Sequence, residues 1–470
     1  MFPGRPRLVI LLARWIKDEK APPLAKGIAV VLPPPPAARK VRKHLSADAL
    51  YALVRDGFGK IADHRDPKAP IPLADALMSA FAMFSLKDPS LLAFQDRRND
   101  PNLKALFGIG RIPSDTQMRE ILDPVDPEHL RPLFGDVFRQ LQRGKALEPF
   151  AFYAGHYLLS LDGTGYFSSQ KVHCPSCQVK EHKNGTVTYE HQMLGAVLIH
   201  PDFKEVIPLA PEPIQKQDGS TKNDCERNAA RRLLRKIRQE HPHLKLIVVE
   251  DGLASNGPHV RDLIDNRMHF ILGVKPGDHA FLFQQVEVAR RKGRSPKLTW
   301  KDGDVTCEVS WVWDVPLNES NQDLRVHFLE YNEYGADGTR RKHFTWVTDL
   351  PVNRRNARLL VRGGRKRWSI ENETFNTLKN QGYHFEHNYG HGVQNLSVVF
   401  AMLMMLAFLV DQTQQLCCPL FRAVWEKLGS KRALWDNLRS HFRHLLFRSM
   451  RHLYEVILHD LGKLPAPDTS

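Results

Sequence analysis

The run Leu244-Lys245-Leu246-Ile247-Val248-Val249-Glu250-Asp251-Gly252 decides how this sequence folds. Its centre is apolar and β-branched, it is too short for a helix, and a glycine closes it. That is the pattern of a strand buried on both faces. The strand delivers a carboxylate, Asp251, at its end. A second run of the same form lies upstream, Tyr157-Leu158-Leu159-Ser160-Leu161-Asp162, and Gly163-Thr164-Gly165 after it reads as a turn. Between and beyond the two, residues 192–201 and 206–210 read as strands of a meander, and 224–240 as a strongly charged helix. Residues 258–266 form a helix with Pro258 tolerated in its first turn. Residues 269–275 (HFILGVK) form another strand. Strands and helices in this order predict an α/β fold, a mixed sheet flanked by helices.

Working outward, residues 1–45 read as a flexible arm. Pro33-Pro34-Pro35-Pro36 is a stiff spacer, and Arg39-Lys40-Val41-Arg42-Lys43 is a basic cluster. Residues 46–150 form an N-terminal helical domain, with Leu50, Leu53 and Val54, then Leu73, Leu77 and Phe81, at helical spacing. Ser114-Asp115-Thr116-Gln117 has the form of a capping box. Short helices in a basic context suit DNA binding, and a plain helical bundle fits the same pattern. The α/β core occupies 151–295 and resumes at 351–416. Between them, 296–350 is a β-rich insertion with three strand candidates around 306–313, 324–331 and 343–347. Two helices follow, over 352–362 and 365–381. Residues 417–470 are basic and helical, with Arg439, His441, Arg443, His444 and Arg448.

The charge balance points to a polyanion. Lys and Arg number 67 against 52 Asp and Glu, a net charge of +15, with a pI near 9.5. Basic side chains on phosphates release counterions, so such a surplus favours nucleic acid, although a basic soluble enzyme has the same composition. Six cysteines in 470 residues make no disulfide scaffold and fit a reducing, cytoplasmic setting. The apolar run 396–410 (LSVVFAMLMMLAFLV) is 15 residues long, short of the roughly 20 a membrane span needs. It reads as a helix buried on all sides, so no membrane partner is expected.

Two strand-end aspartates and a helical glutamate, Glu371, supply hard oxygen donors of the kind that hold paired divalent ions for phosphoryl transfer. Arg367, Glu371, Phe375 and Lys379 recur every four residues along one drifting helix face. Glu371 could therefore bind metal while Arg367 and Lys379 address phosphates on either side. Trp368 and Ile370 among these charges favour a docked helix over an exposed one laced with ion pairs.

Three blocks, Leu161-Asp162-Gly163-Thr164, Val248-Val249-Glu250-Asp251-Gly252-Leu253 and Arg367-Trp368-Ser369-Ile370-Glu371-Asn372-Glu373-Thr374-Phe375, resemble in order those of bacterial insertion-sequence DDE transposases. The branch they are most similar to carries a Tyr-Arg-Glu-Lys signature and a β insertion before the glutamate. The resemblance spans roughly 110–415. It implies an RNase H-like fold and cut-and-paste chemistry with two Mg²⁺ or Mn²⁺, water attacking first and a DNA 3′-hydroxyl later. It also implies Asp162, Asp251 and Glu371 as metal ligands, Arg367 and Lys379 as phosphate contacts, and transposon ends and target DNA as partners. A homodimer in the synaptic complex and a nucleoid location follow from the same resemblance. Two positions depart from the signature. Gly364 stands where the tyrosine belongs, and Lys379 lies one residue too far from Glu371, which keeps Glu373 open as the third ligand. An RNase H-like nuclease without strand transfer, and an inactive transposon-derived DNA-binding protein, stay open as alternative functions.

A second constellation lies downstream of Asp162. Cys174-Pro175-Ser176-Cys177 with His173, His182 and His191 nearby has the donor types of a structural Zn²⁺ site, three histidines competing for two places. Free thiols in a loop are the alternative. No thioredoxin-like context surrounds the pair.

Overall fold

The computed structural model describes residues 42–215 and 225–462. The expected arm therefore lies outside the described residues except for residues 42–45.

Six helices come first: α1 (Ala47–Phe58), α2 (Leu73–Leu86), α3 (Leu91–Gln95), α4 (Pro101–Phe107), α5 (Asp115–Leu122) and α6 (Arg131–Arg143). Their starts are written in the sequence. The Ser46 hydroxyl accepts the Ala49 amide at the head of α1, and Ser114 and Gln117 close the expected capping box on α5. Helix α2 is buried almost all round and ends at Lys87, which adopts a left-handed conformation.

Twelve strands build one sheet. They are β1 (Ala151–Tyr153), β2 (His156–Ser169), β3 (Gln178–Glu181), β4 (Val187–Ile199), β5 (Ile207–Pro208), β6 (Glu212–Ile214), β7 (Leu246–Glu250) and β8 (His269–Gly273), then β9 (Lys297–Asp302), β10 (Val305–Asn318), β11 (Asn321–Tyr334) and β12 (Arg340–Thr348). The order is β3-β4-β2-β7-β8-β12-β11-β10-β9, with β1 on β2 and both β5 and β6 on β4. Strand β4 is antiparallel to β2, whereas β2, β7 and β8 run parallel. Every residue of β7 is buried, as a central parallel strand covered on both faces requires. The crossovers are α7 (Glu226–Glu240), between β6 and β7, and α8 (Gly257–Asp265), between β7 and β8.

Two sequence expectations change here. Asp162-Gly163-Thr164-Gly165 is no turn, because β2 runs on to Ser169 and each of these residues pairs with β4. Gly163 answers to a close approach instead: a Cβ there would lie 2.1 Å from the Glu226 carboxylate. The β-rich stretch also holds four strands rather than three, and it continues the main sheet, since β12 pairs antiparallel with β8. The strand not foreseen, β9, is a charged, half-exposed edge strand, the composition that protects an edge and hides its periodicity.

Helix α9 (Ala280–Arg291) packs on β10. After β12 come α10 (Ala357–Arg365), a 3₁₀ turn (Lys366–Trp368), a π-helical turn (Ile370–Phe375) and α11 (Asn376–Asn380). The helices expected at 352–362 and 365–381 are thus one nearly continuous helical path with an irregular centre. The long helix α12 (Leu396–Cys417) spans 22 residues and is apolar enough to cross a membrane by length and composition, yet it is buried within the fold. It packs on α2, with Phe84 and Phe400 rings 5.9 Å apart. Helices α13 (Pro419–Leu428), α14 (Lys431–His444) and α15 (Met450–Asp460) follow among the described residues. The N-terminal helices share a core with these. Phe107 lies 6.2 Å from Phe442, and the Asn102 amide donates to the Phe442 and Leu445 carbonyls.

Candidate active site

Asp162 sits midway along β2 and Asp251 directly past the end of β7. Ser160 stands opposite Val249 across the parallel pair. Both Asp162 and Asp251 line one small cleft at this end of the parallel pair. Asp251 also caps a short 3₁₀ turn, its Oδ1 accepting the Leu253 amide at 2.9 Å. The Asp162 Oδ1 accepts its neighbour's amide, Gly163, at 3.0 Å.

The glutamate arrives on the π-helical turn. Ile370 and Phe375 from that turn pack over Gly195 of β4, where a Cβ would stand 2.9 Å from the Phe375 ring. The Ser160 hydroxyl donates to the Arg367 carbonyl at 3.1 Å, which pins the helix start onto β2. Arg367 Nη1 donates to Glu371 Oε1 at 2.9 Å and lies 3.7 Å from Asp162 Oδ2. One guanidinium therefore spans both carboxylates. Glu373 turns elsewhere and lends its charge to Lys366 and Lys431. Glu371 is thus the glutamate brought to the aspartates.

Electrostatics at the cluster are dominated by like charges. Burial and the adjoining Glu371 carboxylate, only partly offset by Arg367, push the Asp162 carboxyl up to about 7. Glu226, which leans over Gly163, is raised by burial and then by Asp251 and Glu250. Like charges gathered in a partly dry site raise one another's carboxyl groups and favour a neighbouring cation. Glu250 pairs with His259 at 2.6 Å. Burial disfavours the His259 cation, but the Glu250 charge and hydrogen bond outweigh it and raise the imidazole. Sequence reading had missed Glu226, Glu250 and His259 as members of this cluster. Only the adjacency of Glu250 to Asp251 could have signalled one of them.

Two clefts open here. Asp162, Glu226, Glu250, Asp251 and His259 line a small one. Asp251, Lys275, His343, Arg367, Trp368 and Glu371 line an adjoining cleft of ≈ 530 Å³ between the helix and β12. Trp368 is half exposed at its rim, with the Arg367 guanidinium 4.6 Å from its ring. Lys379 stands apart. It pairs with Glu386 at 2.8 Å and faces a third cleft along the far half of β2, with Gly165, Ser168 and Glu190.

A family model described as Transposase DDE domain matches residues 168–409. The chain belongs to the DDE transposase family. The matched span contains Asp251 and Glu371 and opens six residues past Asp162. No curated protein matches the chain. The mixed sheet with its flanking helices agrees with the RNase H-like fold of these transposases. Membership makes this a DNA-cleaving enzyme with DNA as its partner, in a family that uses divalent metals. The donor set fits that requirement, since hard carboxylate oxygens of Asp162 and Glu371 meet at one guanidinium and Asp251 lines the same cleft as Glu371.

The second constellation changes composition. Cys174, Cys177 and His191 do come together, but the fourth member is His391, from the loop between α11 and α12. Two sequence candidates drop out. His173 stacks on Tyr189, ring centroids 4.3 Å apart, and His182 Nε2 bonds the Thr188 hydroxyl at 2.7 Å. No local spacing could have indicated His391, which lies 214 residues from Cys177.

Proposed function

We propose that this transposase cuts and rejoins the DNA of an insertion sequence at a two-ion Mg²⁺ or Mn²⁺ site held by Asp162, Asp251 and Glu371. The observation that carries the reading is the single Arg367 guanidinium spanning Asp162 and Glu371, with Asp251 on the wall of the same cleft as Glu371. When bound, divalent cations activate the attacking oxygen and stabilise the leaving one.

The chain's own residues do the remainder. Arg367 would offer its planar fork to a DNA phosphate at the cleft, a geometry for which a guanidinium is suited. Trp368 offers an exposed ring at the cleft rim on which a base can stack. Lys379 lies further along β2 and addresses a phosphate beyond the cut. The helical region over 46–150 and the basic C-terminal helices grip flanking duplex, a second copy of the chain holds the other end, and the complex works on the nucleoid.

Asp251→Asn and Glu371→Gln test the assignment. Each should abolish Mg²⁺-dependent cleavage of end-containing DNA while leaving DNA binding in a gel-shift assay intact. Retained cleavage in either variant overturns the site. Strand transfer by the wild-type protein on the same substrate separates a transposase reaction from simple hydrolysis.

A further inference from the structure

The Cys/His cluster stands apart from the carboxylates and has no part in the proposed chemistry. Its four ligand atoms all lie within 4.8 Å of one another, and all four side chains are buried. Zn²⁺ in a tetrahedron of two sulfurs near 2.3 Å and two nitrogens near 2.05 Å has S···S edges of about 3.8 Å and S···N edges of about 3.6 Å. The Cys174 and Cys177 Sγ atoms are 3.8 Å apart. His191 Nε2 lies 3.4 Å from Cys174 Sγ and 3.5 Å from Cys177 Sγ. His391 Nε2 lies 3.3 Å from Cys177 Sγ. These four edges are close to those of a zinc tetrahedron. They are also far too long for a disulfide, whose sulfurs sit about 2.05 Å apart.

The backbone is built for the same end. The Cys177 amide donates to the Cys174 carbonyl at 3.1 Å, and the Cys174 amide donates to Cys177 Sγ at 3.3 Å. This tight turn points both sulfurs inward and supplies an N–H to one of them, as ligand sulfurs require. Tyr166 stacks over His191 at 5.9 Å and Phe167 lies 4.4 Å from His391. These rings shield the cluster from water. Thiols and imidazoles at these separations share only weak sulfur hydrogen bonds, whereas an ion coordinates all four at once.

We propose that Cys174, Cys177, His191 and His391 bind one structural Zn²⁺, which staples the β2–β4 sheet edge to the loop following the glutamate helix. The strands that carry the first two segments lead directly from Asp162. The loop with His391 leads from α11 into α12. The ion therefore ties the helical path bearing Glu371, at its downstream end, to the strand pair bearing Asp162. Its role is to fix position, not to react.

The test uses the full chain, purified reduced and assayed for metal by mass spectrometry. One zinc per chain is expected, and Co²⁺ in its place should give the intense visible bands of a tetrahedral thiolate site. Cys177→Ser should lose the metal. His391→Ala should surrender it to a chelator at least about tenfold more readily than wild type, whereas His391→Cys, which keeps a donor, should retain it. The double variant His173→Ala/His182→Ala should behave as wild type. Absence of zinc from folded, reduced wild-type protein after reconstitution overturns the proposal. So does a His391→Ala protein with unchanged retention while the His173/His182 double variant loses its metal. Should Cys177→Ser fail to fold, wild-type stoichiometry and the His391 pair still decide. None of these readouts depends on the carboxylates, so the proposal stands or falls apart from the DNA chemistry.

Discussion

Replacing Lys87 with methionine should destabilise the protein by about 3–5 kcal/mol, the cost of leaving one member of a buried ion pair alone. Lys87 ends α2 and its ammonium meets Asp411 of α12, with side-chain exposures of 0% and 6%. The ammonium also donates to the Ser85 carbonyl at 2.9 Å and sits 3.9 Å over the Trp435 ring. Burial lowers the Lys87 pKa and raises that of Asp411, each opposed by the partner's charge. Without Lys87, the Tyr383 hydroxyl at 2.5 Å is the remaining side-chain donor to Asp411, so the carboxylate keeps its burial penalty and loses its cation. Methionine preserves stem length and packing, and the left-handed backbone at this position strains lysine and methionine alike. The pH dependence has a defined sign. Asp411 in the variant has a folded-state pKa above its unfolded value, so the penalty is absent at low pH and grows as pH rises through that window. Urea unfolding followed by circular dichroism at pH 5 and pH 8 measures both effects. Lys87→Met/Asp411→Leu should recover stability to within about 1 kcal/mol of wild type, because a hydrophobic replacement of the whole pair is close to neutral. A loss below about 1 kcal/mol in the single variant, or a double variant less stable than the single, would refute the buried-pair account.

Other perturbations read different parts of the fold. Glu373→Gln should cleave DNA within about twofold of wild type, since that charge acts on Lys366 and Lys431 and not on Asp162; a loss as deep as that of Glu371→Gln would move the third ligand. Gly195→Val should slow cleavage at unchanged DNA binding, because its side chain would enter the space of Phe375 and Ile370 and lift the glutamate from the aspartates. Trimming Phe375 to leucine in the same protein should restore part of the rate. The hydrogen bond from His269 to Asp349 at 2.7 Å raises the imidazole pKa despite partial burial. Its stabilising contribution is complete below the unfolded value of about 6.5 and fades as pH rises through the higher folded value; His269→Asn should flatten the melting temperature over that range.

Much of the core could be read from the chain, because its central strands are apolar runs with glycine or polar boundaries. Leu246–Glu250 and His269–Gly273 are buried on both faces and carry that history in composition. Local reading failed where a residue answers to a distant neighbour. Gly163 looks like a turn former, but its missing Cβ makes room for Glu226 from the crossover helix. His391 completes a cluster whose other members lie some two hundred residues upstream, and spacing rules see only the near histidines. The alternation of β9 is masked by the charges that guard its edge. Asp251 was legible and Glu250 was not, since whether an acid beside a strand end faces the site or a histidine such as His259 depends on which helix covers it.

Lys379 and Gly364 are each held by structural constraints that bear on how the glutamate is placed. An extra residue in an ordinary α-helix turns everything after it by about 100°, which would carry Lys379 off the face of Glu371. Residues Ile370–Phe375 instead form a π-helical turn, which takes about one more residue per turn than an α-helix. Lys379 thereby stays on the β2 side of the helix, lining the cleft with Gly165 and Ser168. Gly364 answers to a different constraint. A Cβ at Gly364 would lie 2.6 Å from the Trp346 indole, so a ring from β12 occupies the space that a side chain on α10 would need. Trp346 also stacks on Phe344, centroids 5.6 Å apart, and both line the Glu371 cleft. Gly364→Tyr should therefore unfold or misplace the helix in the native background and be tolerated once Trp346 is cut to alanine. Thermal melting of the single and double variants decides the matter. Equal destabilisation in both would mean that the aromatic wall of the cleft and the glycine are unrelated.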